Sequence, residues 1–87
     1  MRRSSLPVWR WQLGKLRVFS GKELCQLLAK HGFVNVRQRG SHVVMQKKAE
    51  SLTITVPVPC HSTIRIGTLQ SIIRQSKLPR QVFETEG

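Results

Sequence analysis

The sequence contains no aspartate, and its only acidic side chains are the glutamates Glu23, Glu50, Glu84 and Glu86. Nucleases that use two metal ions need carboxylates that converge on the metals, and glycosidases need a pair of carboxyl groups that flank the scissile bond. So few and so widely spaced acids argue against both classes of enzyme. If this protein cleaves a phosphodiester, it must therefore use histidine and cationic side chains.

Cysteines are few, and no apolar run is long enough to cross a membrane. Cys25 and Cys60 cannot build a disulfide framework, so a reducing, cytoplasmic setting is the simpler expectation. Together with His31 and His61 they could in principle bind zinc, but their spacing matches no zinc-finger or ribbon pattern. We therefore expect no metal and no other cofactor. No secretory signal is visible, and the composition predicts a soluble protein.

Positive charge is the main excess in the composition. Fifteen lysines and arginines against four acids give a formal net charge of +11 in 87 residues. Such a surplus attracts polyanions, and nucleic acid is the default partner. The length suits one small domain. We predict a single domain over residues 16–87 and a flexible basic extension over residues 1–15, in which Trp9 and Trp11 either stack on RNA bases or belong to a loosely packed tail.

Two amphipathic helices are predicted. The first should cover about residues 21–30, because residues 20–23 form an S-x-x-E capping box and His31 is suited to the negative helix end. The second should open at Gly67 and end before Pro79, since proline cannot continue a helix. Each helix carries leucine or isoleucine at positions i, i+3 and i+4, a stripe that predicts burial against a common sheet.

Three strands are predicted between the helices, over residues 33–37, 42–46 and 52–56. The third should end at Pro57 and Pro59, which cannot continue a central ladder. One face of each strand should be buried and the other left for a partner. The fold class is therefore α+β, a two-layer sandwich of order α-β-β-β-α with a three-stranded antiparallel sheet and both helices on one face, an arrangement that also occurs in double-stranded-RNA-binding domains.

The candidate site surrounds the turn between the first two strands, where Arg37 and Arg39 precede His42. RNA carries its own nucleophile, the 2′-hydroxyl, so an enzyme need only move protons and stabilise charge. An imidazole can serve as general base or general acid near neutrality, and such help is typically worth about 10²–10⁴-fold. Guanidinium groups can bind the phosphate and offset the negative charge that develops on it.

The face of the sheet on which His42 lies decides whether it can act as a general base or general acid. If Val43 and Met45 face the helices, alternation along the strand places His42 on the open face. If the opposite face is buried, His42 is a core or edge residue. From the residue pattern alone, an ordinary exposed histidine at the start of a strand explains His42 equally well.

Five further residues, in addition to the two arginines, are candidate phosphate ligands. They are Ser41 in the turn, Lys47 and Lys48 after the second strand, and Arg65 and Thr68 at the second helix. The charged residues are explained as simply by solvation as by contact with an A-form backbone, which depends more on shape and charge than on base readout. The free amides of a helix start, where Thr68 lies, are suited to an anion.

Five ordered blocks resemble the HicA toxin family, also called YcfA-like. They are residues 20–24 (SGKEL), 31–33 (HGF), 37–42 (RQRGSH), 56–61 (VPVPCH) and 67–69 (GTL). The resemblance covers about residues 16–76 and implies a fold like that of double-stranded-RNA-binding domains. It also implies an mRNA interferase of a type II toxin–antitoxin pair that a HicB antitoxin neutralises, with His42 in the family's G-S-H block as its catalytic histidine.

The chain departs from the family pattern in three places. The part before Leu16 is longer than the family's usual start. The block that ends at His61 has two more residues than the compact P-x-H form, so the position of His61 stays open. No proline precedes Gly67, a change that concerns the helix cap more than the chemistry.

These observations support two main hypotheses and a weaker third. The first is a metal-independent endoribonuclease toxin that acts on mRNA in the cytoplasm, uses His42 as acid/base with Arg37 and Arg39 on the phosphate, and is bound by an acidic HicB-like antitoxin, with no membrane partner. The second is a non-catalytic RNA-binding module of the same fold. The third is an interaction protein whose charge serves an acidic partner.

Overall fold

A helix, three antiparallel strands and a second helix follow one another in the computed structural model, which describes residues 15–84. The helices are α1 (Gly21–Lys30) and α2 (Ile66–Ser76), the strands are β1 (Val34–Arg39), β2 (His42–Lys48) and β3 (Thr53–Pro59), and a 3₁₀ helix (Arg80–Phe83) follows α2. The predicted order α-β-β-β-α is confirmed. Except for residue 15, the predicted N-terminal extension lies outside the described residues.

Both helices cover the same face of the sheet. The strand order is β1-β2-β3, so β2 is central. Alternate residues of β2 and β3 are buried on the covered face, where the apolar stripes of the two helices pack on them. The core includes Leu24, Leu28, Val43, Met45, Val56, Val58, Leu69 and Ile72. The predicted class, an α+β sandwich of two layers, is therefore confirmed.

Helix α1 begins and ends as its sequence signals predict. Ser20 N donates to Glu23 Oε1 at 2.9 Å and Glu23 N donates to Ser20 Oγ at 3.1 Å, which completes the capping box. His31 is the C-cap, and Gly32 follows it with φ of 95°, a left-handed conformation that glycine adopts without strain. The amide of Phe33 then donates back to the helix, so the last turn keeps its carbonyls satisfied.

Strand β3 runs through both prolines, so the predicted end of the third strand was wrong. It pairs with β2 as far as Pro59, which lies opposite His42. An edge strand can hold proline where the ring nitrogen faces away from the ladder, and successive residues direct their backbone groups to opposite sides. The amide of Cys60 donates to Ser41 O on the β2 side. The nitrogens of Pro57 and Pro59 therefore lie on the unpaired side.

Strand β1 also differs from the prediction, which expected one buried face in every strand. All six residues of β1 are exposed, although the strand pairs with β2 along its length. Its helix-side positions hold Asn35 and Gln38, the register partners of the buried Met45 and Val43. Because these amide side chains have little apolar surface to bury, the core ends at β2.

The segment before α1 and the 3₁₀ helix close the core together. Leu16 and Glu84 form an isolated antiparallel bridge, and Arg17 N donates to Phe83 O at 2.9 Å. Phe19 and Phe83 are buried with their ring centroids 6.2 Å apart in an edge-to-face arrangement. Aromatic pairs of this geometry stabilise a core beyond the area that they bury.

Candidate functional site

His42 lies on the face of the sheet that the helices leave open. The next residue, Val43, is buried against the helices, whereas His42 is exposed. His42 is in register with Arg39 on one side and with Pro59 on the other. Directly opposed residues of neighbouring strands share a face, so these three form one row across the open face. Val43 and Met45 face the helices, and alternation along β2 therefore places His42 on the open face.

Arg37 lies on the same face, one row away from Arg39. It is opposite Val44, and the β1–β2 register shifts between Asn35 and Arg37, where Val36 is an extra residue of β1. Asn35 Oδ1 accepts a 3.1 Å hydrogen bond from Arg37 N across this bulge. Asparagine side chains readily bond to a nearby backbone amide in this way. The two predicted phosphate-binding arginines thus share the open face with the candidate histidine.

A cleft of about 520 Å³ lies between β3 and α2. His42 and His61 both line it, together with Arg65 and Thr68 at the start of α2. Its apolar walls are formed by Pro57, Pro59, Ile64 and Ile72. The cleft therefore brings two imidazoles and one guanidinium to a single concave surface, and groups of these types can transfer protons and bind anions.

The position of His61, which the sequence left open, follows from β3 and the loop after it. Because β3 stays extended through Pro59, the block of residues 56–61 ends with His61 beside the turn that precedes β2. Cys60 N donates to Ser41 O at 2.6 Å, and the carbonyl oxygen of His61 accepts a 2.8 Å hydrogen bond from Gly21 N. The loop is thus bonded on both sides, to the β1–β2 turn and to the start of α1.

Gly21 is required at the start of α1 because the chain after β3 passes very close to it. A Cβ at this position would overlap the carbonyl oxygen of Pro59 and touch Cys60 Cα. Only glycine allows both the helix start and the hydrogen bond to His61. The glycine in the SGKEL block was the available sequence signal for this contact, but the partner segment could not be identified from the sequence.

The remaining predicted phosphate ligands are spread over both faces. Lys48 is exposed on the open face, opposite Thr53 and at the other end of β2 from the cleft. Lys47 lies on the helix side, with Nζ 5.9 Å from the centroid of the Phe33 ring. Ser41 is exposed in the turn, where its backbone carbonyl is bonded to the loop after β3. Arg65 and Thr68 share the cleft with the candidate histidine, whereas Lys47 and Lys48 do not.

Within the described residues, the arginines of the open face and of the cleft make no ion pair. Within residues 15–84, the only ion pair joins Arg80 Nε to Glu84 Oε2 at 2.8 Å, near the 3₁₀ helix. Arg37, Arg39 and Arg65 therefore have no carboxylate partner among these residues. Guanidinium groups without a carboxylate partner attract phosphate at long range and are available to bind it.

The two cysteines are free thiols near the same helix start. Cys25 is partly buried on α1, and this burial, followed by the neighbouring Cys60, raises the pKa of the Cys25 thiol. Both cysteines and His61 line a second depression at the start of α1. Over the described part of the chain, no cluster of three or more histidine, cysteine or acidic side chains has the arrangement of a metal site.

Comparison with known proteins identifies one family. A family model described as the HicA toxin of bacterial toxin–antitoxin systems matches residues 21–78, which is two thirds of the chain. The match begins at α1 and ends just after α2, so it includes the G-S-H turn and the cleft. No curated protein and no solved structure matches the chain significantly. Neither helix within residues 15–84 is long and apolar enough to cross a membrane.

Proposed function

Because the chain belongs to the HicA toxin family of bacterial toxin–antitoxin systems, we propose that it is an mRNA interferase, an endoribonuclease that acts on mRNA in the cytoplasm. The observation that supports this most directly is the position of His42. It is exposed in the cleft and stands in one row with Arg39 on the open face. An imidazole and a guanidinium on directly opposed residues of one face suit proton transfer at a bound phosphate.

The proposed reaction is a transesterification that uses the 2′-hydroxyl of the RNA. His42 acts as general acid/base, and Arg37 and Arg39 hold the phosphate and offset the charge that grows on its oxygens. The attacking oxygen belongs to the substrate, so no metal-bound water is required. The absence of aspartate from the sequence fits this route, because a two-metal mechanism needs clustered carboxylates.

The flanking phosphates are proposed to bind beside the cleft. Arg65 and Thr68 line it from the start of α2, where the N-cap residue makes no side-chain hydrogen bond. Helix-start amides and a guanidinium together favour an anion. Ser41 and Lys48 would contact the backbone on either side of the scissile bond, whereas Lys47 is proposed as a weaker, more distant contributor.

An acidic HicB-like antitoxin is proposed as the protein partner. Val34 and Val36 of β1 are 59% and 46% exposed, in the same strand as Arg37 and Arg39, which make no ion pair within residues 15–84. A partner with carboxylates around an apolar centre would bury the valines and neutralise the charge. Binding there would cover the open face and prevent access of RNA to His42.

We also propose that residues 16–87 form one domain and that residues 1–15 are a basic extension outside it. The bridge between Leu16 and Glu84 supports this boundary, because it joins the start of the domain to the segment after α2. Deleting residues 1–15 should then leave the thermal unfolding midpoint of the domain nearly unchanged, and RNA titrations of the deletion variant separate an RNA-contacting arm from a loosely packed tail.

The test is cleavage of a defined RNA by the purified full chain in EDTA. Wild-type protein should cleave, and His42→Ala should lose about 10²–10⁴-fold in rate, the usual contribution of one acid/base group. His31→Ala is the matched control, because His31 caps α1 through its backbone and lies outside the cleft. Cleavage that stops in EDTA, or that persists in His42→Ala, contradicts the mechanism.

The second candidate function is RNA binding without catalysis, which the arginines of the open face favour. It predicts a salt-sensitive complex, because phosphate contacts release counterions, and no cleaved product at any incubation time. Gel shift and product analysis on the same samples separate the two functions.

A further inference from the structure

His42 and His61 reach one cleft from different parts of the fold. His42 begins β2, whereas His61 lies in the loop between β3 and α2, and both side chains are exposed. Both line the same cleft of about 520 Å³. His31, the third histidine of the chain, is the C-cap of α1 and does not line it.

The backbone fixes the two histidines relative to each other. The residues directly before them are joined, because Cys60 N donates to Ser41 O at 2.6 Å. Pro59 is in register with His42, so the separation of the two segments is set by the β2–β3 ladder itself. Such a spacing is set by backbone hydrogen bonds and does not depend on side-chain packing.

The fold uses the backbone of His61 and leaves its imidazole free. The carbonyl oxygen of His61 accepts the hydrogen bond from Gly21 N. Within residues 15–84, the His61 ring makes no hydrogen bond or ion pair. Any residue could supply the carbonyl oxygen, so the anchoring of the loop does not explain why an imidazole stands in the cleft.

RNA transesterification requires two proton transfers. As the bond between the 2′-oxygen and phosphorus forms, the 2′-oxygen loses a proton, and as the bond between phosphorus and the 5′-oxygen breaks, the leaving oxygen gains one. A single histidine must perform both transfers in succession, whereas two can divide them as base and acid. A 2′,3′-cyclic phosphate and a 5′-hydroxyl are the products in either case.

We infer that His61 is the second acid/base group of this site and that it divides the two proton transfers with His42. One imidazole accepts the proton of the 2′-hydroxyl and the other donates a proton to the 5′-oxygen. No oxidant, metal or further reactant is consumed, since the two proton transfers balance. This inference rests on the proposed ribonuclease function.

The first measurement compares His61→Gln with His42→Ala on ordinary RNA. Each should lower the rate by about 10²–10⁴-fold. His61→Gln keeps the backbone carbonyl, so its thermal unfolding midpoint should match that of wild type within about 2 °C, since surface changes away from packed features are nearly neutral. An unchanged rate in His61→Gln overturns the inference.

A second substrate separates an acid/base role from mere support of the loop. Replacing the bridging 5′-oxygen by sulfur gives a thiolate leaving group that needs no general acid. This substrate should restore one of the two variants to within about tenfold of wild type and leave the other impaired, because only the acid becomes dispensable. Rescue of neither variant, or of both, overturns the division of roles.

The control experiment distinguishes this inference from the function on which it rests. If wild-type protein cleaves neither substrate, the ribonuclease proposal fails. If wild type cleaves both and His61→Gln behaves as wild type, the ribonuclease proposal stands and only the role of His61 is lost. His31→Gln, a histidine change outside the cleft, should cleave both substrates at the wild-type rate.

Discussion

The amide of Gly21 donates a 2.8 Å hydrogen bond to the carbonyl oxygen of His61, and this contact joins the start of α1 to the loop that carries a cleft histidine. The bond requires that the two segments approach more closely than any side chain permits at position 21. The helix start therefore controls the geometry of the site, although Gly21 lies outside the cleft.

Gly21→Ala should destabilise the protein and reduce its activity. The added methyl group overlaps the Pro59 carbonyl, and overpacking of this kind costs about 1–3 kcal/mol. Urea unfolding measures the loss. Gly67→Ala is the control, since a Cβ there meets no atom within 4 Å, and it should be neutral or stabilising by up to about 1 kcal/mol. Equal stability of the two variants would show that the close approach is not tight in solution.

Phe83→Ala should lose about 3–5 kcal/mol of unfolding free energy, the usual loss for a large aromatic side chain in a core. Phe83 is fully buried against Phe19 although it lies beyond the part of the chain that the family model matches. Chemical denaturation gives the value, and Gln81→Ala in the same 3₁₀ helix, an exposed position, serves as the reference. A small loss at Phe83 would mean that the 3₁₀ helix does not close the core.

Cys60 should react with iodoacetamide before Cys25 in the folded protein at neutral pH. Cys60 is exposed, whereas burial and the neighbouring Cys60 raise the pKa of Cys25 and keep its thiol protonated. Peptide mapping by mass spectrometry measures both rates, and labelling in denaturant provides the baseline in which the two thiols react alike. Faster modification of Cys25 would contradict the packing of α1 on the sheet.

Arg39→Ala should weaken RNA binding more than Lys47→Ala. Arg39 lies opposite His42 on the open face, whereas Lys47 lies on the helix side near Phe33. Loss of one phosphate contact to single-stranded RNA should reduce the slope of log affinity against log salt by about 0.7, and the distant lysine should change it less. Titrations at several salt concentrations measure both slopes. A larger effect at Lys47 would place the RNA on the other face.

The parts of the fold that depend on neighbouring residues in the chain were predicted correctly. The capping box of Ser20 and Glu23 and the position of His31 at the negative helix end mark both ends of α1, because caps are satisfied by side chains and amides a few residues apart. The apolar stripes of the helices likewise predicted which faces are buried. Because Val43 and Met45 are buried against the helices, alternation along the strand places His42 on the open face.

The failures concern features that tertiary neighbours decide. Pro57 and Pro59 are tolerated because β3 is an edge strand, and the sequence does not state which strand lies at an edge. The bulge at Val36 depends on the pairing with β2, and the exposure of β1 depends on how far the helices extend over the sheet. The cleft between β3 and α2 was missed for the same reason, since its residues are distant in sequence.

The bridge between Leu16 and Glu84 brings the two ends of the described domain to one place. Opposed residues of an antiparallel pair have Cα atoms only about 5 Å apart, so a linker of a few residues can join them. We therefore expect a circularly permuted chain that starts in the exposed turn at residues 50–51 to keep every strand pairing. The position of the chain break is thus not what determines this fold, because the two ends of the described domain are neighbours in space.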